Sequence, residues 1–178
     1  FARSIVVAPH APVSESLEAS EYARSAAAID FFNSLLAFDG VKAAAETKIR
    51  QTLEIGCAFG VSSLAICGAI DGREGASHTI IDPFQFTDWD GSGVAALKRA
   101  GLSNFTLIEM VSELALPQIF DGVRFDFVFI DGWHTSDHMI VDAFFATRMI
   151  NVSGYLAFDD SDMPAIRKAV DYFCRYPC

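Results

Sequence analysis

The chain of 178 residues carries 23 acidic and 13 basic side chains, which gives a formal net charge of −10 at neutral pH. A surface of that sign repels phosphate backbones, so nucleic acid is excluded as an expected partner. Hydrophobic residues make up 52% of the chain, enough to bury a substantial core within one domain. No apolar run reaches the roughly 20 residues that a membrane-spanning helix needs.

The N-terminal residues and the cysteines indicate a soluble protein of a reducing compartment. Residues 1–4 lack the basic-then-apolar build of a signal peptide. The four cysteines, Cys57, Cys67, Cys174 and Cys178, show neither a CxxC pair nor zinc-like spacing with histidine. We therefore expect free thiols, a cytoplasmic location and no membrane partner.

The first fifty residues differ in pattern from the rest of the chain. Residues 14–37 carry a rough apolar stripe at helical spacing, and Asp39-Gly40 ends that segment. A short helix is predicted at 41–46. Residues 1–50 are thus expected to form a helical cap on a core of residues 51–178, within a single domain that spans residues 1–178.

From Gln51 onward, short apolar runs alternate with helical patterns. The predicted strands are 51–55, 77–81, 105–109, 125–130 and 154–158, and the predicted helices are 61–70, 92–100, 112–119, 136–150 and 163–174. This alternation is typical of βαβ units and predicts a Rossmann-like, doubly wound α/β fold with a mostly parallel sheet. Ligands of such sheets bind beyond the carboxyl ends of the strands.

A glycine turn after the first core strand predicts a site for a nucleotide-like ligand. The apolar run ends in Glu54, and Gly56 and Gly60 open the next helix. Asp82 closes the following strand, 22 residues beyond Gly60, where a carboxylate can accept hydrogen bonds from both hydroxyls of a ribose. The glycine spacing departs from GxGxxG, which disfavours a nicotinamide cofactor but leaves it as an alternative.

A second acidic group follows the later strands. Asp131 comes directly after the strand at 125–130, and Asp159-Asp160 come after the strand at 154–158. Carboxylates that converge on one edge need a proton or a cation among them, and oxygen ligands suit Mg²⁺ or a similar divalent ion. The alternative interpretation is that these aspartates cap helices.

His134 lies three residues beyond Asp131, close enough to face the same cleft. Three roles stay open for it: a general base for a substrate hydroxyl, a metal ligand, or a hydrogen-bonding residue of the turn. Trp89 and Trp133 offer an aromatic wall for a sugar or phenolic ring, although Trp133 is equally suited to pack over the turn. The remaining histidines, His10, His78 and His138, are interpreted as structural or surface residues.

Together these motifs resemble the class I S-adenosylmethionine-dependent methyltransferases. The resemblance rests on Leu53-Glu54-Ile55-Gly56-(x)3-Gly60, Ile81-Asp82-Pro83, Phe129-Ile130-Asp131-Gly132-Trp133-His134 and Phe158-Asp159-Asp160. It covers about residues 50–174. Within the class, the sequence is similar to the metal-dependent O-methyltransferases, including catechol O-methyltransferase-like and macrocin O-methyltransferase-like enzymes.

The resemblance implies a role for each motif residue. The cofactor-binding residues would be Glu54, Gly56, Cys57, Ala58 and Gly60 at the methionine end, Asp82 at the ribose, Val111 and Ser112 at the adenine, and Asp131 beside them. The metal ligands would be Asp131, Asp159 and Asp160. The catalytic residues would be Asp131 and His134, the latter as general base.

The resemblance implies transfer of a methyl group from S-adenosylmethionine to a hydroxyl of a small molecule, sugar or catechol-like, with help from a divalent cation such as Mg²⁺. Two departures stand out: Ala58 replaces a glycine that many members carry, and the antiparallel C-terminal hairpin of the family is missing or truncated. The alternatives are an NAD-dependent oxidoreductase and a non-catalytic nucleotide-binding module. Assembly into a homo-oligomer is left open.

Overall fold

The computed structural model of the protein describes residues 4–7 and 48–175. The predicted helices at 14–37 and 41–46 lie outside the described residues. The strands are β1 Ser4–Val7, β2 Gln51–Ile55, β3 Ser77–Ile81, β4 Phe105–Ile108, β5 Phe125–Ile130 and β6 Ile150–Phe158. The helices are α1 Val61–Ile70, α2 Ser92–Arg99, α3 Ser112–Ile119, α4 Ser136–Met149 and α5 Pro164–Arg175.

The six described strands form one sheet in the order β1-β6-β5-β2-β3-β4, and every neighbouring pair is parallel. The predicted Rossmann-like, doubly wound fold is therefore confirmed. The chain runs outward from β2 through β3 to β4, then returns to β5 on the other side of β2. The gap between the carboxyl ends of β2 and β5 is the topological switch point, where such sheets bind ligands.

The core divides into two apolar layers, one on each face of the sheet. Helices α1 and α2 pack on the face that carries Ile80, Phe127 and Phe129. Helices α3, α4 and α5 pack on the opposite face, against Leu53 and Ile130. Because β5 is covered on both faces, its near-continuous apolar sequence predicted its central position correctly.

Strand β6 is longer than predicted. It begins at Ile150 rather than at residue 154, and it includes the turn-like segment Asn151-Val152-Ser153-Gly154. Ser153 has a positive φ of 66°, and the register with β5 shifts between Phe125 and Phe127. A bulge-like irregularity thus absorbs residues whose composition favours a turn.

Strand β1 is an additional strand that the sequence did not predict, and the helical cap of residues 1–50 stays a prediction. Ser4–Val7 pairs with β6 from Ser4 opposite Tyr155 to Val7 opposite Phe158. The run Ile5-Val6-Val7 is β-branched, but four residues are too few to identify as a strand without a partner. The sheet edge beyond β6 is therefore occupied, although no C-terminal hairpin follows among the described residues. None of the described helices is long and apolar enough to span a membrane.

Backbone hydrogen bonds continue beyond the strands and align their carboxyl ends. The amide of Gly56 donates to the Ile81 carbonyl at 2.9 Å, and the amide of Asp131 donates to the Ile55 carbonyl at 2.8 Å. The amide of Asp159 donates to the carbonyl of Ile130 at 3.0 Å. The residues that follow β2, β5 and β6 consequently share one edge of the sheet, as the sequence predicted.

Gly56 leaves no room for a side chain at this edge, and this generates a stability prediction. A Cβ at Gly56 would lie 2.1 Å from the backbone oxygen of Asp131, whereas a Cβ at Gly72 meets nothing within 4 Å. Both glycines have positive φ, 91° and 73°. Gly72→Ala should cost about 1–2 kcal/mol for the left-handed backbone alone. Gly56→Ala should cost about 3 kcal/mol more, because β2 and β5 must separate.

Urea denaturation of the two variants measures the difference between their free energies of unfolding. Gly72→Ala serves as the matched control, since it shares the conformational strain but lacks the collision. Equal losses in the two variants would contradict the close approach of β2 and β5.

Candidate active site

A cavity of about 460 Å³ lies at the carboxyl edge of the sheet, above the switch point. The residues around it come from the ends of β2, β3 and β5 and from the start of α3. They are Ile55, Gly56, Cys57, Ala58, Ile81, Asp82, Pro83, Phe84, Asp88, Trp89, Ser112, Asp131, Gly132, Trp133 and His134. Residues that lie far apart in the sequence therefore meet in one cavity, and most of the predicted site residues are among them.

The glycine turn curls tightly between β2 and α1. The amide of Gly60 donates to the carbonyl of Cys57 at 2.7 Å, and φ is positive at Gly56, Ala58 and Gly60. Ala58, which replaces a glycine of the family, keeps the left-handed backbone with φ of 47°. Its amide and its carbonyl are both hydrogen-bonded to side chains, those of Asp82 and Gln85. These bonds offset the strain that a Cβ adds there.

Asp82 binds the glycine turn as well as lining the cavity. Its Oδ2 accepts hydrogen bonds from the amides of Cys57 at 3.0 Å and Ala58 at 2.9 Å. Its Oδ1 accepts from the amide of Phe84 at 2.8 Å. The carboxylate joins the ends of β2 and β3, and the contact with ribose stays a prediction.

Glu54 is fully buried beneath the turn and does not line the cavity. Its Oε2 accepts a hydrogen bond from the Ser63 hydroxyl and lies 3.1 Å from His78 Nε2. His78 also contacts the Thr52 hydroxyl at 2.8 Å, so it is a buried structural residue, as predicted. The role of Glu54 at the methionine end stays a prediction, and any such role would be exercised through the backbone of the turn above it.

Cys57 is a buried turn residue with an unreactive thiol. Burial, the nearby Glu54 carboxylate and, to a smaller extent, Asp82 raise the pKa of this thiol far above its ordinary value. The thiolate is the reactive form of cysteine, so Cys57 contributes its small size to the turn rather than nucleophilic chemistry. Cys67 and Cys174 are likewise free thiols in the described part of the chain.

Asp131, His134 and Asp160 form an acidic cluster at the rim of the cavity. His134 Nε2 lies 3.0 Å from Asp160 Oδ2 and 3.7 Å from Asp131 Oδ1. One ligating atom from each residue lies within 4.8 Å of the other two, which is the spacing of a metal site. The donor set of two carboxylates and one imidazole fits a divalent cation.

The charges of this cluster are coupled. Burial raises the pKa of the Asp131 carboxyl, and the neighbouring imidazole of His134 opposes that shift. The facing carboxylate of Asp131, together with those of Asp160 and Asp159, raises the pKa of His134. The carboxylates therefore gain from a positive charge between them, whether it is imidazolium or a bound cation.

Asp159, predicted as a metal ligand, lies deeper than its neighbours. It is 3% exposed, and its Oδ1 accepts the amide of Asp160 at 2.9 Å. Asp160 has a positive φ of 46°, which turns its side chain toward the cavity rim. In this geometry His134 takes the third place of the cluster, and metal ligation by any of these residues stays a prediction.

Of the two residues predicted to contact adenine, one lines the cavity and the other does not. Ser112 is the first residue of α3 and lines the cavity, whereas Val111 precedes the helix in extended conformation and does not. Both predicted tryptophans line the cavity. Trp89 contacts Phe59 edge-to-face at 5.0 Å between ring centroids, and Trp133 contacts Phe84 in the same manner at 5.7 Å. Aromatic rings thus cover part of the cavity mouth.

Two buried polar residues beside this cavity, Gln85 and Asp142, are not predicted from the sequence. Gln85 follows a Pro-Phe pair and belongs to no recognisable motif. Asp142 was detectable, because Met139, Asp142 and Ala146 fall on one helical stripe that is buried against the sheet. Neither Asp142 oxygen has a hydrogen-bond partner among the described residues. Burial raises the pKa of Asp142 to about 6, and the nearby Ser112 hydroxyl opposes the shift.

Comparison with known proteins agrees with this geometry. A family model described as a methyltransferase domain matches residues 53–161. No curated protein sequence matches the chain. The chain belongs to this methyltransferase family, which confirms the class of enzyme predicted from the sequence, an S-adenosylmethionine-dependent methyltransferase. Membership argues against the oxidoreductase that the sequence left open.

Solved structures share the fold at low sequence identity. Cofactor-bound Rv0187 from MTB is 20% identical, with a TM-score of 0.66 over 89% of this chain and 75% of its own. The O-methyltransferase TomG from Streptomyces achromogenes, solved with SAM, is 20% identical, with a TM-score of 0.65 over 92% and 78%. An O-methyltransferase from Bacillus cereus, solved with SAH, is 16% identical, with a TM-score of 0.65 over 95% and 73%.

The buried Asp142 makes stability depend on pH in a defined direction. Its native pKa of about 6 exceeds the value near 4 of an unfolded chain, so the native state holds the proton more tightly. The contribution of Asp142 to the free energy of unfolding therefore falls as pH rises from about 4 to about 6, and stays low above pH 6. Asp142→Asn should raise the free energy of unfolding at pH 7.5 by about 2 kcal/mol. It should also remove the decrease between about pH 4 and about pH 6.

Chemical denaturation between pH 4 and pH 8 measures this effect. Asp171→Asn, an exposed change on α5, is the matched control and should leave the pH profile unchanged. A loss of stability in Asp142→Asn at pH 7.5 would mean that the ionised carboxylate has a stabilising partner.

Proposed function

We propose that the protein transfers the methyl group of S-adenosylmethionine to a hydroxyl oxygen of a small molecule, and that a divalent cation held by Asp131 and Asp160 assists. The supporting observation is the position of the acidic cluster. Asp131 and His134 border the same cavity as the glycine turn and Asp82. The cofactor and the acceptor hydroxyl would therefore lie side by side.

The glycine turn and Asp82 hold the adenosyl and methionine portions of the cofactor in this proposal. The solved neighbours TomG and the Bacillus cereus enzyme, which carry SAM and SAH, support that choice of cofactor. Methyl transfer is an in-line displacement at the sulfonium carbon, and alignment of the reacting atoms alone contributes up to about 7–11 kcal/mol. The strand ends supply that alignment, because backbone hydrogen bonds fix them relative to one another.

His134 accepts the proton of the acceptor hydroxyl. It must be neutral to do so, although the surrounding carboxylates raise its pKa. Neutralisation of the Asp131 and Asp160 charges shifts that pKa back toward its ordinary value. Asp131 and Asp160 would hold a divalent cation, which would supply this neutralisation and Lewis-acid assistance to the acceptor hydroxyl.

The acceptor is a small molecule with a ring in this proposal. Trp89, Phe84 and Trp133 line the cavity, and Trp133 is 49% exposed, so a flat ring can stack there without displacing the core. The net charge of −10 disfavours polyanionic acceptors such as nucleic acid. Sugars and catechol-like phenols both satisfy these constraints.

Removal of Asp160 tests the cation site. Asp160→Ala should lower divalent-dependent turnover by about 100-fold, because one of two carboxylate ligands is lost. The affinity for S-adenosylhomocysteine should stay within about twofold, because Asp160 does not line the cavity. Turnover assays with and without EDTA, with calorimetry for S-adenosylhomocysteine, measure both quantities.

Titration with Mn²⁺ followed by electron paramagnetic resonance reports cation binding without reference to turnover. Asp162→Ala, an exposed change two residues away, is the control and should bind Mn²⁺ as the wild type does. Full turnover of the wild type in EDTA would refute the role of the cation.

Replacement of His134 distinguishes a general base from a cation ligand. His134→Gln should lower kcat by about 10²–10⁴-fold and leave KM for the acceptor nearly unchanged, since a general base acts in the transition state. Its Mn²⁺ affinity should match that of the wild type. His138→Gln, which changes a histidine stacked on Trp133, is the control.

A parallel fall in Mn²⁺ affinity and kcat would instead identify His134 as a cation ligand. An unaltered kcat would leave it as a residue of the turn.

A further inference from the structure

We propose that Gln85 is a positioning residue of the cofactor site: it joins the glycine turn to the start of α2, and the amides of that turn fill Asp82 Oδ2, so that the Asp82 carboxylate presents only Oδ1 and accepts a single ribose hydroxyl. This inference rests on the assignment of the cavity to the adenosyl group of the cofactor. It differs from the sequence-based expectation that Asp82 accepts both hydroxyls.

Gln85 is fully buried and its amide contacts three segments around the cavity. Its Nε2 donates to the carbonyl of Ala58 at 3.0 Å and lies 3.5 Å from Asp82 Oδ2. Its Oε1 accepts from the amides of Gly93 at 2.9 Å and Val94 at 3.3 Å. One side chain thus joins the glycine turn, the end of β3 and the start of α2.

Close packing keeps Gln85 in this orientation. A Cβ at Gly93 would lie 2.7 Å from Cys57 Sγ, 2.8 Å from the Ala58 carbonyl oxygen and 3.0 Å from Gln85 Oε1. A Cβ at Gly60 would lie 2.8 Å from the Cα of Gly93. The backbones of the turn and of α2 therefore approach closely, and the hydrogen bonds to Ala58, Gly93 and Val94 fix the orientation of the Gln85 amide between them.

The two oxygens of Asp82 consequently differ in what they can still accept. A carboxylate oxygen offers about two acceptor positions. Oδ2 accepts the amides of Cys57 and Ala58 at about ideal length, and the Gln85 amide adjoins it, so its positions are filled. Oδ1 accepts only the amide of Phe84 among the described residues, which leaves one position.

One remaining acceptor position matches one hydroxyl. If both ribose hydroxyls bonded to Asp82, one hydrogen bond from a backbone amide of the glycine turn would have to break. A buried amide N–H left without an acceptor is costly. The second hydroxyl of the ribose must therefore bond elsewhere or face solvent. The cofactor hydroxyls are thus recognised unequally.

Deoxy analogues of the bound product test this inequality directly. Calorimetry should compare S-adenosylhomocysteine with its 2′-deoxy and 3′-deoxy forms on the wild-type protein. One analogue should bind about tenfold more weakly, since a hydrogen bond to a charged group is lost, and the other should bind within about twofold of the parent. Equal losses for the two analogues, or no loss for either, would overturn the proposal.

A second comparison tests the positioning role of Gln85. Gln85→Met removes the amide at nearly constant volume, and Gln118→Met makes the same change at an exposed position of α3. Gln85→Met should weaken S-adenosylhomocysteine about tenfold and reduce the deoxy penalty from about tenfold to less than about threefold, because the glycine turn, whose amides bind Asp82, is no longer joined to α2. Gln118→Met should reproduce the wild type in both respects.

A purely structural Gln85 would weaken all three ligands by one factor and leave the deoxy penalty intact, and that result would overturn the positioning role. If Gln85→Met does not fold, Gln85→Leu removes the same polar atoms in a smaller side chain, and the same change in the penalty is expected. These measurements involve neither acceptor nor cation. A protein that binds S-adenosylhomocysteine but methylates no hydroxyl would therefore refute the proposed function without touching this inference.

Discussion

The close approach of β2 and β5 at their carboxyl ends is the constraint on which the site depends. The amide of Asp131 donates to the carbonyl of Ile55, and Gly56 lies so near the Asp131 backbone that no Cβ fits between them. That contact brings the glycine turn and the acidic cluster to the two sides of one cavity. A parallel sheet with a topological switch at this point supplies the edge, and the glycine permits the approach.

The two sides of the cavity balance their charges differently. Asp82 accepts three backbone amides, and this satisfies a buried carboxylate without any cation. Asp131 and Asp160 face the imidazole of His134 instead, and their charges depend on its protonation. The first arrangement is rigid and suits recognition of a cofactor. The second is adaptable and suits chemistry that changes charge.

The sequence predicted most of the core with little error, because the relevant signals are local. Apolar runs bounded by glycine and aspartate located β2, β3 and β5, and helical periodicity located α2 and α5. Strand β1 escaped detection since its four residues become a strand only beside β6. The start of β6 was not predicted because its residues favour a turn. They nevertheless belong to the strand, since an irregular pairing with β5 accommodates them.

By itself, the sequence determined which chemical groups stand at the strand ends: the glycine turn, Asp82, Asp131, His134 and the Asp159-Asp160 pair, and with them the class of enzyme. Only the tertiary structure decided which of those groups are available to a ligand. Asp159 accepts the amide of its neighbour, Glu54 lies beneath the turn, and Gln85 donates to the carbonyl of Ala58, 27 positions earlier in the sequence. The reason is physical: residue type and local spacing specify a donor or an acceptor, whereas its remaining hydrogen-bonding capacity depends on partners that only folding brings near.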